Sequence, residues 1–184
     1  MKRDLLILYS GGADSLMMLQ LAKILNKHPH FLLIDYEQLH KEELDFAKNQ
    51  INNYLNVSYS TVKIRDLGIN SGLTGDGIKN ERGDVHSMHV PGRNTIFLSL
   101  AFSKAESMDI DTIWIGCDWS DRLNLFPDCY PEYILKINEL FKIAGPKEIK
   151  VEAPLIGLTK ENILGYLKAQ GVTNEQLYSG YGDL

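Results

Sequence analysis

The hexapeptide Ser10-Gly11-Gly12-Ala13-Asp14-Ser15 places two hydroxyls, two glycines and a carboxylate directly after the apolar run Leu5 to Tyr9. Paired glycines let the backbone turn tightly and let an anion approach without a Cβ in the way. A helix starting here would aim its free N–H groups and positive dipole end at the same anion. Ser10 and Ser15 can add hydroxyl hydrogen bonds to phosphate oxygens. Asp14 repels a bare phosphate, so it reads as a ligand for a Mg²⁺ ion that bridges phosphates. The structural alternative is a glycine turn with Asp14 as helix N-cap. With no Gly-Lys-Ser/Thr ending, the loop is not a Walker A motif.

Further clusters carry groups suited to a nucleotide and an organic substrate. Asp35 and Tyr36 close the apolar run Phe31-Leu32-Leu33-Ile34, and the backbone from Leu33 to Tyr36 can pair with an adenine edge. Gln38 and His40 follow as polar candidates. Val90-Pro91-Gly92-Arg93-Asn94 reads as a helix start. There Arg93 offers a fork of donors to phosphate or carboxylate, while Asn94 caps the helix and touches ligand. Lys160 sits at another helix start, where its charge opposes the dipole, and a nearby phosphate explains it best. Gly116, Cys117, Asp118 and Asp121 lie just past an apolar run, followed by Phe126, Asp128 and Cys129. Asp118 and Asp121 read as solvated loop charges.

The elements that must position these residues are strands and helices in alternation. Leu5 to Tyr9, stopped by Gly11-Gly12, is a strand buried on both faces, as in a parallel sheet. A helix follows to about Asn26, then a strand at Phe31 to Ile34. Lys41 to Leu55 is an amphipathic helix with Leu44, Ala47, Ile51 and Leu55 on one stripe, and Val57 to Ile64 alternates as a third strand. Asn94 to Met108 is helical, Thr112 to Gly116 a strand, Pro131 to Ile143 helical, and Ile149 to Ala153 a strand. Thr159 to Ala169 is a helix with Thr159 as N-cap and Gly171 as its stop. The alternation predicts an α/β fold, a doubly wound parallel five-stranded sheet in a single domain over residues 1–184. Asp66 to Pro91 and Cys117 to Cys129 read as irregular, the first being a glycine-rich lid or binding loop. Ligands of such sheets bind at the carboxyl ends of strands, where both segments fall.

Composition narrows the partners. The chain has 184 residues, 44% hydrophobic and 23% charged, enough to bury a proper core. A formal net charge of -5 argues against a large basic face, hence against strong nucleic-acid binding. No apolar stretch approaches the ~20 residues of a membrane span. The first apolar run is too short for a signal peptide, so the chain reads as cytoplasmic. Cys117 and Cys129 are too few for a disulfide framework or a four-cysteine zinc site.

The hexapeptide resembles the PP-loop of ATP pyrophosphatases, and within that superfamily the chain resembles the QueC family of 7-cyano-7-deazaguanine synthases. The resemblance also rests on Asp35-Tyr36 with Gln38 and His40, on Val90 to Asn94, on Phe126-Pro127-Asp128-Cys129, and on Pro154-Leu155 followed by Lys160. It implies an adenine nucleotide alpha hydrolase-like (HUP or Rossmann-like) fold, with ATP and Mg²⁺ as cofactors. The implied enzyme adenylates 7-carboxy-7-deazaguanine and uses ammonia to form the amide, the nitrile, or both, releasing AMP and pyrophosphate. The resemblance makes Asp14, Arg93 and Lys160 catalytic, with Asp14 holding Mg²⁺ through the ATP phosphates. ATP would lie on Ser10, Gly11, Gly12, Ala13, Asp14, Ser15, Leu33, Asp35, Tyr36, Gly92, Arg93 and Lys160. The substrate pocket would comprise Gln38, His40, Val90, Asn94, Gly116, Cys117, Phe126 and Asp128, with Asp128 reading the base's N–H donors and Cys129 as a wall. A homodimer is also implied.

The chain departs from that family at its end. The family's four-cysteine zinc site begins in a Ser-Cys-Tyr segment, which here reads Ser179-Gly180-Tyr181 before the stop at Leu184. The family's Pro-Asp-Cys-Arg becomes Pro127-Asp128-Cys129-Tyr130. One alternative is a phage or defence-associated relative that stops at the amide or adenylates another carboxylate. Another is a module that binds nucleotide or deazapurine without turnover. A tRNA thiolase would need a sulfur-carrying pair, which two scattered cysteines supply poorly. His86 and His89 would share a face only in a helix, which the glycines around them discourage. A stable tetrahedral zinc needs about four ligands. Zinc is therefore not expected: purified protein should carry well under one zinc per chain, and a chelator should leave its Tm unchanged once Mg²⁺ is restored. Elemental analysis finding a full equivalent of zinc would contradict this.

Overall fold

The apolar runs become the central strands. A computed structural model describes residues 2–38, 42–53, 58–65, 90–123, 126–173 and 177. Strand β1 (Leu5–Leu8) pairs in parallel with β2 (Pro29–Asp35), Leu5 opposite Pro29 and Leu8 opposite Leu32. Strand β3 (Tyr59–Lys63) lies outside β2, β4 (Thr112–Trp114) lies on the other side of β1, and β5 (Lys150–Glu152) lies beyond β4. The order is β3-β2-β1-β4-β5, all parallel, as the alternation predicts.

Period-2 alternation divides the strand side chains between two cores. Leu5, Ile7, Phe31 and Leu33 pack with Leu16 and Leu19 of α1 (Ala13–Ile24), Ala47 and Ile51 of α2 (Glu42–Asn52), and Ile163 and Leu167 of α6 (Lys160–Ala169). Leu6, Leu8, Leu32 and Ile34 face the opposite side. There they meet Leu98 and Phe102 of α3 (Arg93–Ser107) and Ile137 and Phe141 of α5 (Pro131–Ala144). Helices on both faces make the sheet doubly wound. Among the described residues no helix is long and apolar enough to cross a membrane.

The differences from the sequence reading are local. Cys117 to Cys129 is not wholly irregular: it holds helix α4 (Trp119–Leu123) and a 3₁₀ turn at Pro127–Cys129, both too short to show a period. The helix expected to start at Asn94 starts at Arg93. Thr159 caps α6 as expected, in a capping box where Thr159 and Asn162 side chains each take the other's backbone N–H at 3.2 Å. Residues 39–41, 54–57 and 66–89 lie outside the described residues, and with them His40, Leu55, Val57, His86 and His89.

This topology creates one crevice. The chain leaves β1 for β2 on one side and returns to β4 on the other, so the loops after β1 and β4 diverge over a switch point. Gly11 lets the first loop fit there. Its φ is +96°, and an added Cβ would sit 3.0 Å from Cβ of Ala47 on α2. Gly11→Ala should therefore cost about 1–3 kcal/mol from backbone strain alone. Urea unfolding reads this directly, and an unchanged midpoint would show that the loop is not constrained there.

Candidate active site

The loop after β1 is closed by its own hydroxyls. Ser15 Oγ accepts from the Ser10 backbone N–H at 2.9 Å and lies 3.0 Å from Ser10 Oγ. Ser15 is buried, so its hydroxyl shapes the loop, while exposed Ser10 and the Gly12 N–H border its mouth. Helix α1 is capped by Gly12 with no side-chain cap, which leaves its first N–H groups open to an anion. Asp14 is thus not the N-cap of the structural alternative. Gly116, after β4, passes so close that an added Cβ would lie 3.2 Å from Cβ of Asp14. That places Gly116 against the PP-loop.

Lys160 points into the same crevice. Its Nζ donates to both carboxylate oxygens of Asp14 at 2.6 Å and sits 2.9 Å from Oδ2 of Asp118. A phosphate is not needed to explain a cation at this helix start, because two carboxylates already compensate it. Burial alone would lower the Lys160 pKa, but Asp14 and Asp118 outweigh it and raise it. Burial lifts Asp14 to about 6 against the pull of Lys160, helped by the charges of Asp118 and Asp121. Asp118 and Asp121 are not the solvated loop charges expected. The Asp118 side chain is 0% exposed. Asp121 is half-buried, and its Oδ2 accepts from the Asp118 N–H at 2.9 Å.

A second group surrounds Arg93, the first residue of α3. Gly92, at φ +68°, turns the chain into the helix, and Val90 is buried below it. Arg93 Nη1 reaches Tyr36 Oη at 3.5 Å, with its guanidinium carbon 6.0 Å from the ring centroid. Glu43, in the first turn of α2, is buried within reach of the same positive charge. The sequence reading missed it. The signal was there: Glu43 lies four residues before Ala47 and eight before Ile51, on the buried stripe. Burial pushes Glu43 up to about 7, with Arg93 opposing.

Asn94 is not the helix cap. It sits one residue further in, and its Nδ2 donates to the Asp128 carbonyl and to Cys129 Sγ, each at 3.4 Å. Phe126 packs on the core below, and its carbonyl accepts from the Cys129 N–H at 3.1 Å. Cys117 and Cys129 are not scattered in space: both are buried in one core cluster, close enough for the Cys129 thiol to act on that of Cys117. That contact and burial push the Cys117 thiol well above its ordinary range, which suits a wall and not a nucleophile.

The end of β2 also differs in detail. Phe31 N–H and the Asp35 carbonyl bond toward β3, while the Leu32 carbonyl accepts from Tyr9 beside β1. Leu33 therefore directs its backbone groups into the β3 ladder, and Ile34 directs its own toward the PP-loop side. Gln38 is buried, and its Oε1 accepts the Tyr36 N–H at 3.1 Å, bracing the strand end. Asp35 Oδ1 accepts from Glu37 N–H at 3.3 Å.

A parallel sheet with a glycine-serine loop over its switch point, an open helix N-terminus and a half-buried lysine-aspartate cluster defines a PP-loop type of adenine nucleotide-binding α/β fold. The family model described as "Queuosine biosynthesis protein QueC" matches residues 4–183, and the chain belongs to that family. A 7-cyano-7-deazaguanine synthase of Prochlorococcus marinus subsp. pastoris is 35% identical over 191 aligned positions, covering 97% of this chain and 84% of the relative. One from Geobacter sulfurreducens is 35% identical over 192 positions, covering 98% and 80%. Among solved structures, the U34-tRNA thiolase NcsA of Methanococcus maripaludis superposes with TM-score 0.61 at 16% identity. That match covers 99% of this chain and 61% of the thiolase. The NH₃-dependent NAD synthetase of Campylobacter jejuni gives TM-score 0.60 at 17% identity, covering 100% and 70%. Both are likenesses of fold.

Glu43 gives a pH-dependent prediction. Its folded pKa, about 7, lies above the ordinary 4.5, so the stability linked to its neutral form is full below 4.5 and lost as pH rises through 7. Glu43→Gln should thus stabilise the protein at pH 8 by roughly 1–3 kcal/mol and leave it unchanged near pH 4. Urea unfolding at the two pH values measures the difference. Equal stabilisation at both would mean that the carboxylate is not held against its charge.

Proposed function

We propose that this protein is an ATP-dependent carbon–nitrogen ligase that activates 7-carboxy-7-deazaguanine and delivers it to ammonia. The observation that carries the reading is the Lys160 ammonium between Asp14 and Asp118, facing the uncapped start of α1 in the β1/β4 crevice. The synthase relatives supply the substrate class.

The triphosphate lies over Gly11 and Gly12, with its oxygens taking the free N–H groups of α1 and the Lys160 ammonium. The adenine edge pairs with the backbone of Ile34, the residue of β2 turned toward the loop. Mg²⁺ fits the donor set, because it is commonly held by one or two carboxylates together with substrate phosphates. Asp14 would be the carboxylate that holds it, and the ion would neutralise phosphate charge when bound. Arg93 steers the substrate carboxylate onto the α-phosphate, with Tyr36 against its guanidinium and Glu43 within reach of its charge. A carboxylate oxygen bonds to the α-phosphorus, and pyrophosphate leaves with Lys160 balancing its charge. Ammonia adds to the acyl carbon, AMP leaves, and a proton is released, giving the amide. If the amide oxygen repeats the attack on a second ATP, loss of AMP gives the nitrile. Asn94, Asp128 and the Cys117–Cys129 wall shape the pocket for the base.

Incubation with ATP, Mg²⁺, ammonium and 7-carboxy-7-deazaguanine should yield AMP, pyrophosphate and a product whose mass identifies amide or nitrile. Asp14→Asn should stay folded and release no pyrophosphate above background. Lys160→Ala should lower kcat/KM for ATP by ~10²-fold. Near-normal pyrophosphate release from Asp14→Asn would remove Asp14 from the metal's ligands. An unaffected Lys160→Ala would place the lysine outside the reaction.

A further inference from the structure

Lys160 has three N–H donors and two carboxylate neighbours, and those neighbours differ in freedom. Asp14 belongs to the PP-loop, and its side chain is 25% exposed. Asp118 is fully enclosed. Its Oδ1 accepts the backbone N–H groups of Ser120 at 2.6 Å and Asp121 at 3.2 Å, which fixes the carboxylate plane. Its Oδ2 lies 2.9 Å from Lys160 Nζ and meets no other polar partner among the described residues, so the ammonium is what offsets it. The start of α6 is docked onto the same turn. The Lys160 N–H donates to Ser120 Oγ at 3.0 Å, and the Trp119 N–H donates to the Leu158 carbonyl at 2.7 Å. Two hydrogen bonds thus tie the start of α6 to the turn that carries Asp118, whereas Asp14 is bonded to the lysine through its side chain alone.

We infer that Asp118 is a positioning residue that keeps Lys160 aimed at the phosphates when Asp14 exchanges the lysine for the metal. This rests on the ATP reading of the site. On that reading the Asp14 carboxylate cannot serve the metal and also hold two protons of Lys160 at 2.6 Å. Once released, the ammonium would swing into solvent if nothing else held it. Leaving Asp118 without its counter-charge would strand a buried carboxylate, which is strongly unfavourable. Lys160 thus stays over the crevice, with two protons free for phosphate oxygens.

The test is a double-variant cycle read by pyrophosphate release, beside calorimetric binding of Mg-ATP to the wild-type protein. Asp118→Asn keeps the Oδ1 acceptor and removes the charge, and it should lower kcat/KM for ATP by roughly tenfold. The KM for 7-carboxy-7-deazaguanine should not change. Lys160→Met and the pair Asp118→Asn/Lys160→Met should agree within twofold, because without the lysine there is nothing to position. The paired variant removes both charges and so keeps a sound fold even if Lys160→Met alone, which strands the Asp118 carboxylate, does not. A paired variant tenfold below Lys160→Met would overturn the inference and give Asp118 a role of its own. Wild-type protein that binds no Mg-ATP would overturn the ATP reading as well, and the calorimetry separates the two failures.

Discussion

A half-buried ion pair joins the first helix of this fold to α6. Lys160 and Asp14 are 146 residues apart in sequence, yet they meet at 2.6 Å through both carboxylate oxygens. The contact ties the first helix of the sheet to the last, over the crevice where the loops after β1 and β4 separate. Two carboxylates, from Asp14 and Asp118, touch this ammonium, and a third, Asp121, lies within reach of its charge. That surplus of negative charge is tolerable because Asp118 and Asp121 are also held by backbone N–H groups and by each other. Under the proposed function, that surplus is what would draw a divalent cation and, through it, a polyphosphate.

The rest of the fold serves this meeting. The two central apolar strands bury side chains on both faces, which fixes α1, α2 and α6 on one side and α3 and α5 on the other. Gly11 and Gly116 remove the side chains that would keep α2 and the end of β4 away from the loop. Gly92 turns the chain into α3 so that Arg93 comes to lie beside Tyr36 and Glu43. Glu43 is held partly against its charge, a local cost of the kind that functional sites carry while the surrounding fold supplies the stability.

Much of this was legible in the sequence because the signals are strong where burial is complete. Leu5 to Leu8 and Phe31 to Ile34 are unbroken apolar runs, and a strand enclosed on both faces has no other pattern. Thr159 announced its helix through capping chemistry alone. The partners within the site were less legible, since a carboxylate looks the same in sequence whether solvent or a lysine faces it. Asp118 read as a surface charge because the residue that neutralises it lies 42 positions away, at Lys160. Asn94 read as a cap because the turn that ends at Gly92 shifts the helix start by one residue. The thiol pair was hidden by the α4 and 3₁₀ segment, whose bends bring Cys129 back to Cys117.

The central claim is that this crevice transfers AMP to the oxygen of a carboxylate, and isotope transfer tests it most directly. 7-Carboxy-7-deazaguanine labelled with ¹⁸O in its carboxylate, incubated with ATP, Mg²⁺ and ammonium, should yield AMP carrying a single ¹⁸O atom. That oxygen can reach the phosphate only by bonding to the α-phosphorus while pyrophosphate leaves. AMP free of label, or ADP and phosphate in place of AMP and pyrophosphate, would contradict the account.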